Sequence, residues 1–167
     1  YVDAYSLINS ANYVFTYSSG KMLVKINNVN GVANGTYFLN QSYPYMDYAC
    51  IVASPKVAGD CVAKVGSGWS AYNSLFSYDT NAKKWFLAGK SLAPGIVFFE
   101  GSLDIGTGKY NNTFISTGSI TTNGAAVVNA VNYAGYVNVC ANPDYPNQFP
   151  AQLCDKAKVA YVSTALG

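Results

Sequence analysis

The chain has 167 residues, half of them apolar and only 11% charged, with a formal net charge of +2. This length suits one domain with a buried core, and the scarcity of charge leaves uncharged polar side chains to provide solubility, which is typical of proteins outside the cytoplasm. All ten positive charges are scattered lysines, and the lack of arginine, which supplies the bidentate contacts to bases and phosphates, argues against a nucleic-acid-binding role.

The N-terminal segment supports two alternative structures. Apolar residues recur there at helical spacing before Gly20, which predicts an amphipathic helix; they are Leu7, Ile8, Ala11, Val14 and Phe15. The stretch YVFTY, from Tyr13 to Tyr17, is rich in residues that favour strands. The sequence predicts an N-terminal helix and leaves the strand as the alternative.

Turn dipeptides mark the next segment as a hairpin. Asn30-Gly31 and Asn34-Gly35 both flank short apolar runs, and such dipeptides favour tight turns between strands. The first cysteine loop follows, and the glycines from Gly66 to Gly68 predict a flexible joint. We therefore divide the chain at this joint into residues 1–68 and residues 69–167, which together are expected to form one compact domain.

Four cysteines fall into two local couples, Cys50 with Cys61 and Cys140 with Cys154, and the chain contains no histidine. Three pairings are open in principle. Without histidine or a CxxC spacing a zinc site is not expected, so we predict the two short-range disulfides Cys50–Cys61 and Cys140–Cys154, with four reduced thiols as the alternative. We predict no metal and no cofactor.

Beyond Trp69 the sequence has the pattern of β-structure. The stretch AYNSLFSYDTNAKKWFLAG predicts two strands joined by a turn at residues 79–82. The longest apolar run, which begins at Ala125, is interrupted by Asn129 and Asn132, so no membrane span is predicted.

A weak repeat of 17 residues follows. VFFEGSLDIGTG begins at Val97 and is echoed by FISTGSITTNG and, more faintly, by VNYAGYVNVC. The repeat aligns three columns: Val97, Phe114 and Val131; Leu103, Ile120 and Val137; Gly101, Gly118 and Gly135. This period is too short for a helical repeat and suits one turn of an all-β solenoid. We predict a mainly β fold with a short solenoid-like stack; the alternative is an antiparallel β-sandwich, whose hairpins return at similar spacing.

Two resemblances follow from these motifs. The stretch LAPGIVFFEGSLDIGTGKYNNTFISTGSITTNG resembles the rungs of bacterial polymer-forming, bactofilin-like solenoids. YVDAYSLINSANYVF is similar to the outer half of the N-terminal helix of type IV pilins, and CANPDYPNQFPAQLC, with Phe149-Pro150 before the closing cysteine, resembles the disulfide loop of pilins. The second resemblance implies subunit contacts or adhesion, although the apolar helix that drives pilin assembly is absent.

Catalytic chemistry is not indicated. Without histidine there is no ordinary triad and no proton shuttle near neutral pH. Glu100 and Asp104, taken as neighbours on one strand, would lie about 13 Å apart, whereas paired glycosidase carboxylates lie about 5–9.5 Å apart. Pairs distant in sequence, such as Asp47 with Asp60, stay open. We predict that the protein is not an enzyme.

Aromatic residues are the candidate binding residues, since exposed tyrosine and tryptophan favour recognition of partners or of ligand rings. The candidates are Tyr43, Tyr45, Tyr48, Trp69, Trp85, Tyr145 and Phe149. Trp69, Tyr72 and Trp85 are expected near the group of Tyr43, Tyr45 and Tyr48. The sequence predicts an extracellular or cell-surface protein that self-associates or joins other surface subunits, as a pilus or filament subunit or as an adhesive domain. The alternative is a carbohydrate-binding module that uses the tyrosine and tryptophan surface.

Overall fold

Short β-strands make up most of the chain. The computed structural model describes residues 3–129, 140 and 150–154. Within them lie fourteen strands: β1 Tyr13–Ser18, β2 Lys21–Ile26, β3 Gly35–Leu39, β4 Tyr48–Cys50, β5 Cys61–Lys64, β6 Gly66–Ser67, β7 Phe76–Asp79, β8 Lys84–Leu87, β9 Ser91–Leu92, β10 Gly95–Phe99, β11 Ser102–Ile105, β12 Gly108–Ser116, β13 Ile120–Thr122 and β14 Ala126–Asn129. Three 3-10 segments complete them: Ala4–Ser10, Ala58–Asp60 and Ala151–Cys154. The mainly β fold is as predicted.

The N-terminal helix is shorter than predicted. It is a 3-10 helix over Ala4–Ser10, and the Asp3 carboxylate caps it by accepting a hydrogen bond from the Tyr5 N–H at 3.1 Å. The chain then enters β1, so the prediction of a helix through Val14 and Phe15 is wrong. Strand propensity prevails there because β1 pairs with β2 on one side and with β10 on the other.

Strands β1 to β5 form an antiparallel meander, each paired with the next. The predicted hairpin is the β2–β3 pair. Its connection turns at Asn30-Gly31, where Gly31 has φ +74° and the Val32 N–H donates to the Val29 carbonyl at 3.1 Å. A positive φ at this position is what glycine accommodates without strain.

Residues 84–129, which we call the parallel stack, contain five parallel strand pairs: β11 pairs with β8 and with β13, and β12 pairs with β9, with β10 and with β14. Val97 lies opposite Phe114, and Leu103 lies opposite Ile120. These pairs confirm the 17-residue register for two of the three predicted repeats, and they are parallel, unlike those of a hairpin sandwich. Val131, Gly135 and Val137, the third repeat, lie outside the described residues.

The N-terminal strands cover one end of the parallel stack. β7 pairs with β8, β6 pairs with β9, and β1 pairs with β10. The larger sheet also curls until its two outermost strands, β5 and β6, are separated by Val65 alone. The Val65 N–H donates to the Asp47 carbonyl, and its own carbonyl accepts from the Ala93 N–H, both at 2.9 Å. One backbone unit thus joins the two ends of the sheet.

A single core of buried side chains includes residues from both sides of the predicted boundary at residue 68. Phe15 of β1 stacks on Phe99 of β10 with ring centroids 4.7 Å apart, and Trp85 of β8 packs against both rings. Burial of three aromatic rings at this junction stabilises the fold through the apolar area that they remove from water.

The two disulfides are present with the predicted partners. Cys50 and Cys61 are joined at an S–S distance of 2.00 Å, and Cys140 and Cys154 at 2.02 Å. Among the residues that the structure describes, no helix is long and apolar enough to span a membrane.

Candidate functional site

Residues 41–48, the tyrosine segment, are held by a buried asparagine. The Asn40 side-chain amide donates to the carbonyls of Ser42 and Tyr45, both at 2.7 Å. Its backbone carbonyl accepts from the Asp47 N–H at 2.9 Å. These bonds fix the loop from inside, so its tyrosine rings are carried on an ordered backbone. They also bury an asparagine whose Asn-x-Ser sequence matches a glycosylation signal.

Residues 68–73, the tryptophan loop, form the second element of the site. Gly68 packs so closely against the loop that a Cβ there would lie 1.8 Å from the Asn73 carbonyl oxygen. The Ser70 hydroxyl donates to the Asn73 side-chain oxygen at 2.7 Å. The predicted flexible joint at Gly66–Gly68 is therefore wrong, because Gly66 and Ser67 form β6 and Gly68 is enclosed by its own loop.

These two segments bring exposed aromatic rings together. The centroids of Tyr43 and Tyr72 lie 4.7 Å apart with an interplanar angle of 30°, and Tyr72 is 70% exposed. Trp69 is 56% exposed. Tyr45 and Tyr48 form a separate edge-to-face pair at 6.0 Å and are half-buried. The site thus presents the outward rings of Tyr43, Trp69 and Tyr72.

A polar cleft of about 150 Å³ lies between the two segments. Its walls carry Asp47 from the tyrosine segment, Ser70 and Asn73 from the tryptophan loop, and the two lysines Lys64 and Lys90. Lys90 is anchored through its backbone N–H, which donates to the Ser67 carbonyl at 2.9 Å. Cleft and aromatic rings therefore share the same two loops.

Asp47 is a buried carboxylate in the wall of the cleft. One oxygen accepts from the Ser74 hydroxyl at 2.5 Å and the other from the Leu75 N–H at 2.8 Å. Burial raises the pKa of Asp47 above its ordinary value, while these two bonds and the nearby charge of Lys64 oppose that shift. Both oxygens are occupied, so Asp47 ties the tyrosine segment to the start of β7.

Trp85 is a correction to the predicted site. It is fully buried, its Nε1–H donates to the Glu100 carbonyl at 3.1 Å, and it packs against Phe15 and Tyr78. The side chain alternation of β8 turns Trp85 inward, so it cannot meet a ligand. Tyr145 and Phe149 lie outside the described residues.

The carboxylates considered as catalytic pairs either accept structural hydrogen bonds or lie on different elements. Glu100 sits between β10 and β11, while Asp104 is on β11 and accepts from the Asn123 side chain at 2.7 Å, so the two do not share one strand. Asp60 accepts from the Lys56 and Val57 N–H groups, and these bonds lower its pKa. Within the described part of the chain, no three His, Cys, Asp or Glu residues are grouped to hold a metal.

Sequence reasoning missed the polar half of the site. Lys64, Lys90, Ser70 and Asn73 come from loops and strand ends that are separated along the chain, and single lysines or serines carry no local signal. A second cleft of about 270 Å³ lies near Lys21 and Gln41, but Lys21 is the one charged residue in its lining.

Comparison of the chain with protein-family models, curated proteins and solved structures gives no match.

Proposed function

We propose that the protein is a non-enzymatic extracellular protein that works by association, as a subunit or adhesive domain of a pilus or other surface filament, and that residues 84–129 are a short β-solenoid. The two disulfides support an oxidising, extracellular location. The single observation that carries the proposal is a strand edge at one end of the stack that bears no charged residue and that no other described strand covers.

That edge is formed by residues 118–129, which we call the outer end. β13 is the last strand of its sheet, and β14 pairs with β12 alone among the described strands. Ile120 is 44% exposed and Val127 is 49% exposed. Unpaired backbone groups beside exposed apolar side chains favour pairing with another chain.

The outer end lacks the charged side chains that commonly protect an edge strand. Natural edges carry charges, lysine above all, that prevent pairing with a neighbour, and residues 118–129 contain no charged residue. Two copies could therefore approach through this edge without repulsion between like charges. We therefore propose that the outer end binds a second copy of this chain.

The opposite end of the stack limits how copies can join. Because β1, β6 and β7 cover it, the outer end of one copy cannot continue the stack of another copy head to tail. Pairing of two outer ends gives a closed dimer, and a filament then needs a second contact surface. The pilin-like loop between Cys140 and Cys154 is the segment whose resemblance supports such a contact.

The test is the oligomeric state of the purified chain across a range of concentrations, by sedimentation velocity and electron microscopy. We expect reversible dimers or longer assemblies. Val127→Lys should abolish them, because a charge is placed on the uncovered edge, and its circular dichroism should stay that of the native protein because Val127 is exposed.

Val57→Lys is the matched control, since Val57 is an exposed valine far from the outer end in sequence, directly before the 3-10 segment Ala58–Asp60, and is 59% exposed against 49% for Val127. It should associate like the unmodified chain. A chain that stays monomeric at every concentration, or a Val127→Lys variant that assembles normally, would contradict the proposal. Assembly only after addition of another surface protein would make the occupant a different subunit.

The aromatic rings beside the polar cleft favour a second candidate function, the binding of a carbohydrate. A sugar has an apolar C–H face that can lie on an aromatic ring and hydroxyls that need polar partners. Tyr43, Tyr72 and Trp69 offer the first surface, and the cleft offers the second. Quenching or shift of Trp69 fluorescence by a glycan, lost in Tyr72→Ala and retained in Tyr5→Ala, would support this function.

A further inference from the structure

The charges of the cleft are unbalanced. Lys64 and Lys90 lie in its walls against one carboxylate, Asp47. Asp47 is almost fully buried, and both of its oxygens accept hydrogen bonds from Ser74 and Leu75. Asp47 thus faces its own wall, and among the described lining residues the exposed charge at the opening of the cleft is that of Lys90.

Lys90 is the cation best placed to meet a ligand. Its side chain is exposed, and within the described residues neither a hydrogen bond nor an ion pair engages its ammonium group. Its backbone is fixed at the rim by the bond from its N–H to the Ser67 carbonyl. Lys64, by contrast, is half-buried and lies close enough to Asp47 to feel its charge.

Size limits what can enter. At about 150 Å³ the cleft is smaller than the roughly 300–1,000 Å³ of pockets that enclose drug-sized molecules. Its volume suits one ring of a longer ligand, and the rest of that ligand would lie over the exposed aromatic side chains of the protein. Tyr72 lies between two lining residues of the tryptophan loop, Ala71 and Asn73, so such rings stand at the rim.

We propose that the cleft recognises an acidic sugar, a ring that carries a carboxylate or sulfate group, with the anionic group at Lys90 and the C–H face of the ring against Tyr72. This inference rests on the second function proposed above and names its ligand class. The hydroxyls of the sugar then meet Ser70 and Asn73. A nucleotide is a poorer fit, since the chain contains no arginine to grip a phosphate in bidentate fashion.

The experiment is calorimetric titration with three oligosaccharides of equal length: an oligogalacturonate, a sulfated oligogalactose and a neutral oligogalactose. We expect at least one acidic probe to bind at least about tenfold more tightly than the neutral one, since a charge-assisted hydrogen bond is typically stronger than a neutral one. The two acidic probes distinguish a carboxylate from a sulfate. The affinity for the acidic probe should fall as salt is raised from 0.1 to 0.5 M, because the shorter Debye length screens the attraction between the lysine and the anionic group.

Variants separate this inference from the function on which it rests. Lys90→Gln should weaken the acidic probe about tenfold and leave the neutral probe unchanged, while Lys25→Gln, an exposed lysine of β2, serves as the matched control. If all probes bind equally and Lys90→Gln has no effect, the protein binds carbohydrate but the acidic specificity is refuted. If no probe binds, carbohydrate binding itself is refuted.

Discussion

Leu103 and Ile120, 17 residues apart, lie directly opposite each other on the parallel strands β11 and β13, yet Leu103 is fully buried and Ile120 is 44% exposed. The difference follows from their positions in the stack. β11 has a neighbouring strand on each side, β8 and β13, whereas β13 is the outermost of the described strands of its sheet.

This contrast predicts unequal effects of the same truncation. Leu103→Ala should lower the free energy of unfolding by about 2–5 kcal/mol, because it removes buried methyl groups and leaves a cavity. Ile120→Ala should change it by no more than about 0.5 kcal/mol, as for most exposed sites. Urea denaturation followed by circular dichroism measures both. Equal losses would mean that the outer end is covered in solution.

A second prediction concerns Asp47. Because burial raises its pKa in the folded state, the folded protein binds more protons than the unfolded chain in the window just above the unfolded pKa. Ionisation of Asp47 should therefore lower the free energy of unfolding as the pH rises from about 3.8 to the folded pKa, with no further change above it. In Asp47→Asn the amide oxygen can accept from the Leu75 N–H while the amide nitrogen donates to the Ser74 hydroxyl, and asparagine tolerates the φ of +63° found there.

The stability of Asp47→Asn relative to the unmodified protein should thus increase with pH across that window. Denaturation series at several pH values between 3 and 7 measure it. Asp47→Ala is the comparison variant: it leaves the Leu75 N–H without its partner and should cost about 1–3 kcal/mol. A relative stability that decreases with pH would mean that the hydrogen bonds and Lys64 outweigh burial.

Two buried tyrosines make a third, matched prediction. The Tyr13 hydroxyl is buried and has no hydrogen-bond partner among the described residues, so Tyr13→Phe should raise the free energy of unfolding by about 1 kcal/mol through removal of an unsatisfied polar group. The Tyr110 hydroxyl bonds to the Gly106 and Thr107 carbonyls at 3.3 and 3.2 Å, so Tyr110→Phe should lower it by a similar amount. Thermal unfolding of both variants tests the sign, and a loss for Tyr13→Phe would contradict the assignment.

Gly101 provides a fourth prediction. It has φ +117°, and a Cβ there would lie 2.5 Å from the Lys83 carbonyl oxygen. Gly101→Ala should therefore destabilise the stack by about 1–3 kcal/mol or more, from backbone strain together with the clash. Gly59→Ala is the control, since no atom lies within 4 Å of a Cβ at that position. Similar melting temperatures for the two variants would exclude a structural need for glycine at residue 101.

The sequence predicted best those features whose partners are near in the chain or repeat at a fixed interval. Residues 17 positions apart lie opposite each other because each of these parallel strands pairs with a strand that precedes it by that interval. Asn112, for example, lies opposite Gly95, and its side chain donates to the Gly95 carbonyl. The Cys50–Cys61 disulfide closes a short loop between neighbouring strands. Both follow from local spacing.

Features that depend on distant residues were harder to predict. Helix and strand competed at Tyr13–Tyr17, and the choice is made by β10, whose sequence neighbours give no hint of that pairing. Trp69 and Trp85 could not be told apart from the sequence as binding residues, but Trp69 is exposed and Trp85 is buried. The cleft required Asp47, Lys64 and Lys90 to converge from separate elements.

The parallel pairing of β1 with β10 has a consequence for the newly made chain. Asn12 and Ile96, at the start of that pairing, are 84 residues apart, so the first strand has no lasting partner on that edge until most of the polypeptide has left the ribosome. Contacts at such separation form slowly because a long loop must close first. The pairing of β1 with β10 should therefore form after the hairpins of the β1–β5 meander, whose partners are neighbours in the sequence.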